Sequence, residues 1–240
     1  MKLDTTTTQF IYNAVKTAQL IDIDGIIIES GSVRALNEKK TIAIIQSTGV
    51  PVFSFGMMAI NRIPTFLARY DLVKTQDGFE VSVNSYTDPK TDETYVKSFT
   101  FQAKKMKMEY RCASPSMLSL APRKINDKLS FQIELNAEAV MLLQKAMNAY
   151  NADMITIESN DEGVSFMLHD VSNDTYKHTF AGKPKCIGTN NNMKFAHQYM
   201  AKNILTLFKY NPEGTILIGN KGILNVDVNG LGVYVIPLTE

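Results

Sequence analysis

Apolar residues recur with a helical period in four segments of the chain. Over Gln9 to Leu20 they fall at Phe10, Ile11, Ala14, Val15 and Ala18, the spacing of one helix face. His197 to Lys209 repeats that spacing with Met200, Ala201, Ile204, Leu205 and Phe208. Asn136 to Tyr150 carries Ala139, Leu142, Leu143 and Ala146 behind an Asn suited to cap a helix N-terminus. A shorter segment, Asn61 to Tyr70, has Ile63, Phe66, Leu67 and Tyr70. Its Pro64 sits in the first turn, where the missing N–H costs little.

Between these segments the pattern changes to alternating or β-branched runs punctuated by turn residues, the signature of hairpins. Asp77-Gly78 separates Leu72–Gln76 from Phe79–Val83, and Glu162-Gly163 separates Met154–Ser159 from Val164–Asp170. Asn220-Lys221-Gly222 and Asn229-Gly230 divide Thr215–Gly219, Ile223–Val228 and Leu231–Leu238.

The order of elements repeats. From Leu129 the chain reads as a strand, a helix and three strands. A short strand at Met193–Ala196, a helix and three more strands follow. The first half runs likewise, from a strand stub at Met1–Leu3 through a helix to Ile21–Ser30, Thr41–Ser47 and Val52–Met57. It continues through the second helix to Asp71–Thr75, Phe79–Tyr86 and Thr94–Ala103. A strand–helix–three-strand unit therefore occurs four times, twice per half. Met106 to Lys128, with Pro115, Pro122 and little periodicity, reads as a connector. The expectation is an α+β chain of two domains, residues 1–108 and 128–240, joined by residues 109–127. Each domain holds two β-α-β-β-β units, with antiparallel sheets outside and helices on one face.

Composition narrows the function. The chain has 240 residues, 45% of them apolar, enough for a packed core. Two cysteines are too few for a disulfide framework, and their spacing fits no zinc motif. No apolar leader follows Met1, and no apolar run approaches the roughly 20 residues of a membrane helix. A cytoplasmic protein is expected. Twenty-five basic against 24 acidic residues leave a net charge of +1, which argues against a basic coat for nucleic acid.

The distribution of charge is less even. The four helical segments carry six basic residues, Lys16, Arg62, Arg69, Lys145, Lys202 and Lys209, and one acid, Glu138. They hold +5, and the rest of the chain −4. Lys202, Thr206 and Lys209 share a face opposite the apolar stripe of their helix. Arg62, Thr65 and Arg69 line up similarly, as do Gln9, Asn13 and Lys16. Solvated helices usually mix Glu with Lys. A basic face without carboxylates suits a phosphate backbone, which it can neutralise with release of counterions. No aromatics interleave with these positions, so a stacking platform for single strands is not indicated.

Catalytic signatures are missing. Gly214 to Lys221 has glycines at phosphate-loop spacing but no Gly-Lys-Ser/Thr ending, and it leads into a hairpin. His169, His178 and His197 make no i, i+4 ligand pair, and Cys112 has no recognisable nucleophile context. No enzyme, metal or cofactor is expected.

The repeat, the connector and the charge pattern together resemble the DNA sliding-clamp family, which includes proliferating cell nuclear antigen and the polymerase clamps of tailed bacterial viruses. The likeness is strongest over Ala139–Asp170, with its helix, small-residue turn and paired strands. It is also strong over Phe195–Leu238, ending in an aromatic-apolar-Pro terminus; the first half matches more loosely, through Gly25–Ser30 and Phe53–Tyr70. Cellular clamps tend to be acidic. This near-neutral chain, with Lys104, Lys105, Lys107, Arg111, Arg123 and Lys124 in or beside the connector, is more like a viral clamp working in a host cytoplasm.

The resemblance implies a non-enzymatic processivity factor. It would be a homotrimeric ring around duplex DNA, serving a replicative DNA polymerase and loaded by a clamp-loader ATPase. It assigns weak, sequence-independent DNA contacts to Lys16, Arg62, Arg69, Lys145, Lys202 and Lys209. It implies closure by strand pairing between Tyr95–Phe101 (Tyr95, Val96, Lys97, Phe99, Phe101) and Tyr176, His178 and Phe180 of the next subunit. It also implies a partner-peptide pocket at Met117, Leu118, Leu120 and Pro122 with Ile236, Pro237 and Leu238. Two alternatives stay open: a monomeric processivity factor bound to DNA by one basic face, and a β-rich virion structural or assembly protein.

Overall fold

The computed structural model describes residues 1–160, 163–170, 172, 174–180, 185–187 and 194–238; Asn160 and Phe180 are described by backbone only. The chain divides into two compact units. One is Met1–Glu38 with Ile44–Arg123, and the other is Lys39–Ala43 with Lys124–Glu240.

In the first unit, helix α1 runs over Thr5–Leu20. It begins a turn before the apolar pattern because Asp4 caps it, accepting from the Thr7 N–H at 2.8 Å and the Thr7 hydroxyl at 2.7 Å. A hairpin follows, β1 (Ile26–Glu29) and β2 (Ser32–Leu36), turning at Gly31 with φ +73°. The sequence pattern does not reveal β2. Val33, Arg34 and Ala35 are all buried, so the alternation that marks a half-exposed strand is absent.

β3 (Ile42–Gln46), whose first two residues belong to the second unit, and β4 (Met58–Ile60) follow. Val52–Met57, expected as a strand, forms none, and Gly56 at φ +97° turns the chain there. Helix α2 spans Ile63–Lys74 with Pro64 in its first turn. It absorbs Asp71–Lys74, which the hairpin reading made a strand. Tyr70 and Val73 are buried three residues apart, and Asp71 pairs with Lys74 at 2.6 Å, both at helical spacing. β5 (Glu80–Thr87), β6 (Thr94–Ala103) and β7 (Met106–Arg111) complete the unit as one antiparallel sheet. β7 corrects the connector reading, since the chain keeps strand structure to Arg111. Phe66 of α2 anchors this sheet, with its ring edge-on to Phe99, Phe101 and Tyr110 at 5.2–5.3 Å.

The second unit opens with β8 (Leu129–Glu134) and helix α3 (Ala137–Tyr150), capped by Asn136 as its sequence indicates. β9 (Met154–Asn160), β10 (Gly163–His169) and β11 (Thr175–Phe180) form a meander. Glu162, read as the first half of a turn, lies outside the described residues. β12 (Lys185–Cys186) adds to β8, and β13 (Phe195–Met200) to β9. Helix α4 therefore starts at Ala201, not His197, and ends at Tyr210. The His197–Met200 backbone pairs with Met154–Ile157, taking the turn that helical spacing assigned to the helix. β14 (Thr215–Gly219), β15 (Leu224–Val228) and β16 (Leu231–Val235) close the unit. Here Phe166 meets Phe208 edge-on at 5.8 Å.

The units share a plan. α1 packs against α2, and α3 against α4. The strand before each helix does not join the three strands after that helix. Met1–Leu3 pairs with β5, β4 with β1, β8 with β14, and β13 with β9. Each β-α-β-β-β module thus completes its sheet with the other module's leading strand.

Candidate nucleic-acid and subunit interfaces

With the observed helix bounds, the four helices carry six basic residues, Lys16, Arg69, Lys74, Lys145, Lys202 and Lys209. They carry two acids, Asp71 and Glu138, for a net charge of +4. The extra pair comes from the longer α2, and Arg62 moves to its N-cap, at φ +41°. Lys16, Lys145, Lys202 and Lys209 are exposed on the helix sides turned away from the sheets. Their apolar counterparts Val15, Leu143, Ile204 and Phe208 are buried. Lys74 is held by Asp71 at 2.6 Å and by the Tyr12 hydroxyl at 3.2 Å. Those two hydrogen bonds raise its pKa.

Arg62 and Arg69 differ from the lysines. The Arg62 guanidinium donates to the Arg111 carbonyl at 3.0 Å and lies 5.2 Å over the Tyr110 ring. Arg69 donates to the Glu109 carbonyl. Both spend donors on the backbone of β7. Part of each guanidinium fork is engaged there.

The strand edges also change the subunit-interface assignment. β6 carries Tyr95, Val96, Lys97, Phe99 and Phe101, and it lies between β5 and β7, paired on both sides. Such a strand has no free backbone row to offer a partner. Phe99 and Phe101 are fully buried in the unit's own core. The edge on that side is β7. In the second unit β11, with Tyr176 and His178, pairs only with β10 among the described residues, as expected of an edge; the Phe180 side chain lies outside them.

The candidate pocket residues fall in both units. In the first, Met117 ends a short 3-10 turn, Pro115–Met117, and is 72% exposed; Leu120 is 46% exposed and Pro122 is exposed. Leu118 lies against Gly25, where even a Cβ would come within 2.5 Å of it. In the second, Ile236, Pro237 and Leu238 are half-buried. The Ile236 N–H donates to the Thr41 carbonyl at 2.9 Å, and the Leu238 N–H to that of Gln198 at 2.8 Å. Sequence reasoning missed a cavity of about 490 Å³ lined by Met57, Tyr86, Tyr95, Lys97, Cys112 and Pro115. It also missed the anchor at Asp127. That carboxylate accepts the N–H groups of Lys221 and Ile223 at 3.0–3.1 Å, tying the chain before β8 to the β14–β15 turn.

Among the described residues no three His, Cys, Asp or Glu side chains converge as metal ligands. No described helix is long and apolar enough to cross a membrane. Burial pushes the Cys112 thiol up to about 12, against a smaller opposite pull from Arg62, which keeps it protonated.

No protein-family model matches the sequence, and no curated protein matches it. Solved structures do. The chain is similar to proliferating cell nuclear antigen (PCNA) of Thermococcus kodakaraensis at 11% identity and TM-score 0.62, covering 99% of each chain. It is similar to A. fulgidus PCNA, in a structure with the C-terminal region of FEN-1 bound, at 13% identity and TM-score 0.64. There it covers 97% of this chain and 96% of that one. The PCNA of Entamoeba histolytica gives 14%, 0.61 and 95% of each. The chain has the PCNA-like sliding-clamp fold along almost its whole length, with mixed helices and antiparallel sheets.

Proposed function

We propose that this protein is a sliding clamp, a non-enzymatic processivity factor whose three subunits form a ring around duplex DNA and tether a replicative polymerase. The observation that carries the reading is a clamp fold spanning 95–99% of the chain whose exposed helix faces bear lysines at Lys16, Lys145, Lys202 and Lys209 with few acids. Topology would hold the DNA. Loose phosphate contacts from those lysines, blind to sequence, would let the ring move along it.

Corrected for the strand edges, the subunit contact in this reading joins β7 of one copy to β11 of the next. That pairing removes two exposed edges at once. Met117, Leu120 and Pro122, exposed in the chain after β7, and the half-buried Ile236–Leu238 are the proposed landing sites for polymerase and clamp-loader peptides. One PCNA of this fold is seen with the C-terminal region of FEN-1 bound, which supports a partner-docking role.

The deciding measurement is absolute mass by light scattering over a range of concentrations. A species three times the 26.8 kDa subunit, retained on circular DNA after loading and lost from linear DNA, is the expected result. A monomer at every concentration up to tens of micromolar would overturn the ring.

A further inference from the structure

Among the described residues β7 pairs only with β6, and two carbonyls on its other edge are already in use. The Cys112 N–H donates to Lys97 of β6, and Tyr110 pairs with Phe99. By the alternation of antiparallel strands, even-numbered residues of β7 turn their backbone groups to β6, and Lys107, Glu109 and Arg111 turn theirs outward. Arg69 and Arg62 bind two of those outward carbonyls, Glu109 and Arg111. On β11 the Asp170 N–H to Asp174 carbonyl bond sets the same phase, so Thr175, Lys177 and Thr179 present the outward groups.

The side-chain faces agree with this phase. Tyr110 packs on Phe66 of α2, and Met108 lines a groove of about 660 Å³ with Pro64, Ala68 and Leu72. On β11, Tyr176 faces Tyr150 of α3 at 6.3 Å. Joining the two sheets with helices on one side puts even residues opposite even, and odd opposite odd. Three centred antiparallel registers remain, with Lys177 opposite Lys107, Glu109 or Arg111. Two of them set cation against cation across the strands, and only Glu109 offers an opposite charge to Lys177, which in the free subunit is paired with Glu158 at 2.9 Å.

We propose that in the β7–β11 contact of the ring reading Glu109 stands opposite Lys177, and that Arg62 and Arg69 guard the β7 edge in the free subunit until pairing displaces them. In this register Tyr110 meets Tyr176, Met108 meets His178, and Arg111 and Lys107 meet Thr175 and Thr179. The Lys177 and Thr175 N–H groups take the carbonyls that the two guanidiniums leave. The proposal rests on the ring reading above and adds to it the register and the guard.

The test is a charge-swap cycle read by sedimentation of the full chain. Glu109→Lys and Lys177→Glu alone are expected to weaken association by roughly threefold to tenfold, and the double variant to recover most of the loss. Arg69→Ala is expected to tighten association severalfold by baring the edge. Circular dichroism melts check that each variant folds, and outward amides at 109, 111, 175 and 177 should gain exchange protection only on assembly. A trimeric wild type in which the swap losses simply add overturns the register while leaving the ring intact. Weaker association of Arg69→Ala overturns the guard. A monomeric wild type overturns the ring reading itself.

Discussion

Cys112 and His197 show how far the environment of one residue departs from what its type suggests. Cys112 sits where the chain leaves β7, and burial pushes its thiol up to about 12. At pH 8 its thiolate fraction would be on the order of 10⁻⁴, against roughly a quarter for a free thiol. Cys112 in the native protein is therefore expected to react with a disulfide reagent orders of magnitude more slowly than in urea. Equal rates in the two states, measured in a Cys186→Ser background, would contradict that burial.

For His197, burial lowers the pKa below its ordinary value of 6.5, against a smaller opposite pull from Asp127. The unfolded chain then takes up the proton first, at about 6.5. Stability from this group is complete above that pH and declines as pH falls through it toward the lower folded value. His197→Gln should flatten the fall in melting temperature between pH 7 and 5.5; an unchanged slope would remove His197 as its cause.

Among the elements, those with a clear local signal are the ones the chain pattern locates. α3 has both its apolar stripe and its Asn136 cap, and Ile155 and Ile157 of β9 are buried at alternate positions. The pattern misleads where tertiary contacts outweigh it. Asp71–Lys74 looks like the arm of a hairpin before Asp77-Gly78, yet burial of Val73 beneath the helix carries α2 to Lys74. His197–Met200 has helical spacing but pairs with β9, because an extended segment there satisfies backbone groups of the sheet edge. β7 has charged alternate positions, Lys107, Glu109 and Arg111, which resemble a solvated connector. They mark an edge strand instead, where charges commonly deter unwanted pairing.

The Asp127 anchor belongs to this scale as well. Its carboxylate replaces water for two backbone N–H groups of the β14–β15 turn. A Cβ on Gly219 would stand 2.1 Å from it. Asp127→Ala should destabilise the protein by about 2 kcal/mol, the usual scale for hydrogen bonds to a charged acceptor. A denaturant midpoint unchanged by the substitution would show the anchor to be dispensable.

For the whole molecule, the helix faces and the strand edges matter together. If Lys202 and Lys209 contact phosphate, then Lys202→Glu with Lys209→Glu should shorten polymerase products in a clamp-dependent assay and leave the melting temperature within a degree or two. Both side chains are exposed, and exposed substitutions usually shift stability by no more than about 0.5 kcal/mol. Product lengths matching wild type at several salt concentrations would remove these lysines from the DNA-facing surface.

By itself the sequence determined the four helices and most strands of the second half. These are written in periods of apolar residues, because side-chain burial is what those periods record, while β2 and β7 of the first half are not. It also placed the lysines of α1, α3 and α4 on polar faces. Only the tertiary structure decided which strands lie side by side. Met1–Leu3 crosses to β5, β4 to β1, β8 to β14 and β13 to β9, leaving β7 as an edge and β6 enclosed. Every residue but proline offers the same N–H and C=O to a neighbouring strand, so a local pattern can say that a segment is extended and which face it buries. It cannot say which partner it pairs with; that choice falls to the packing of the whole unit.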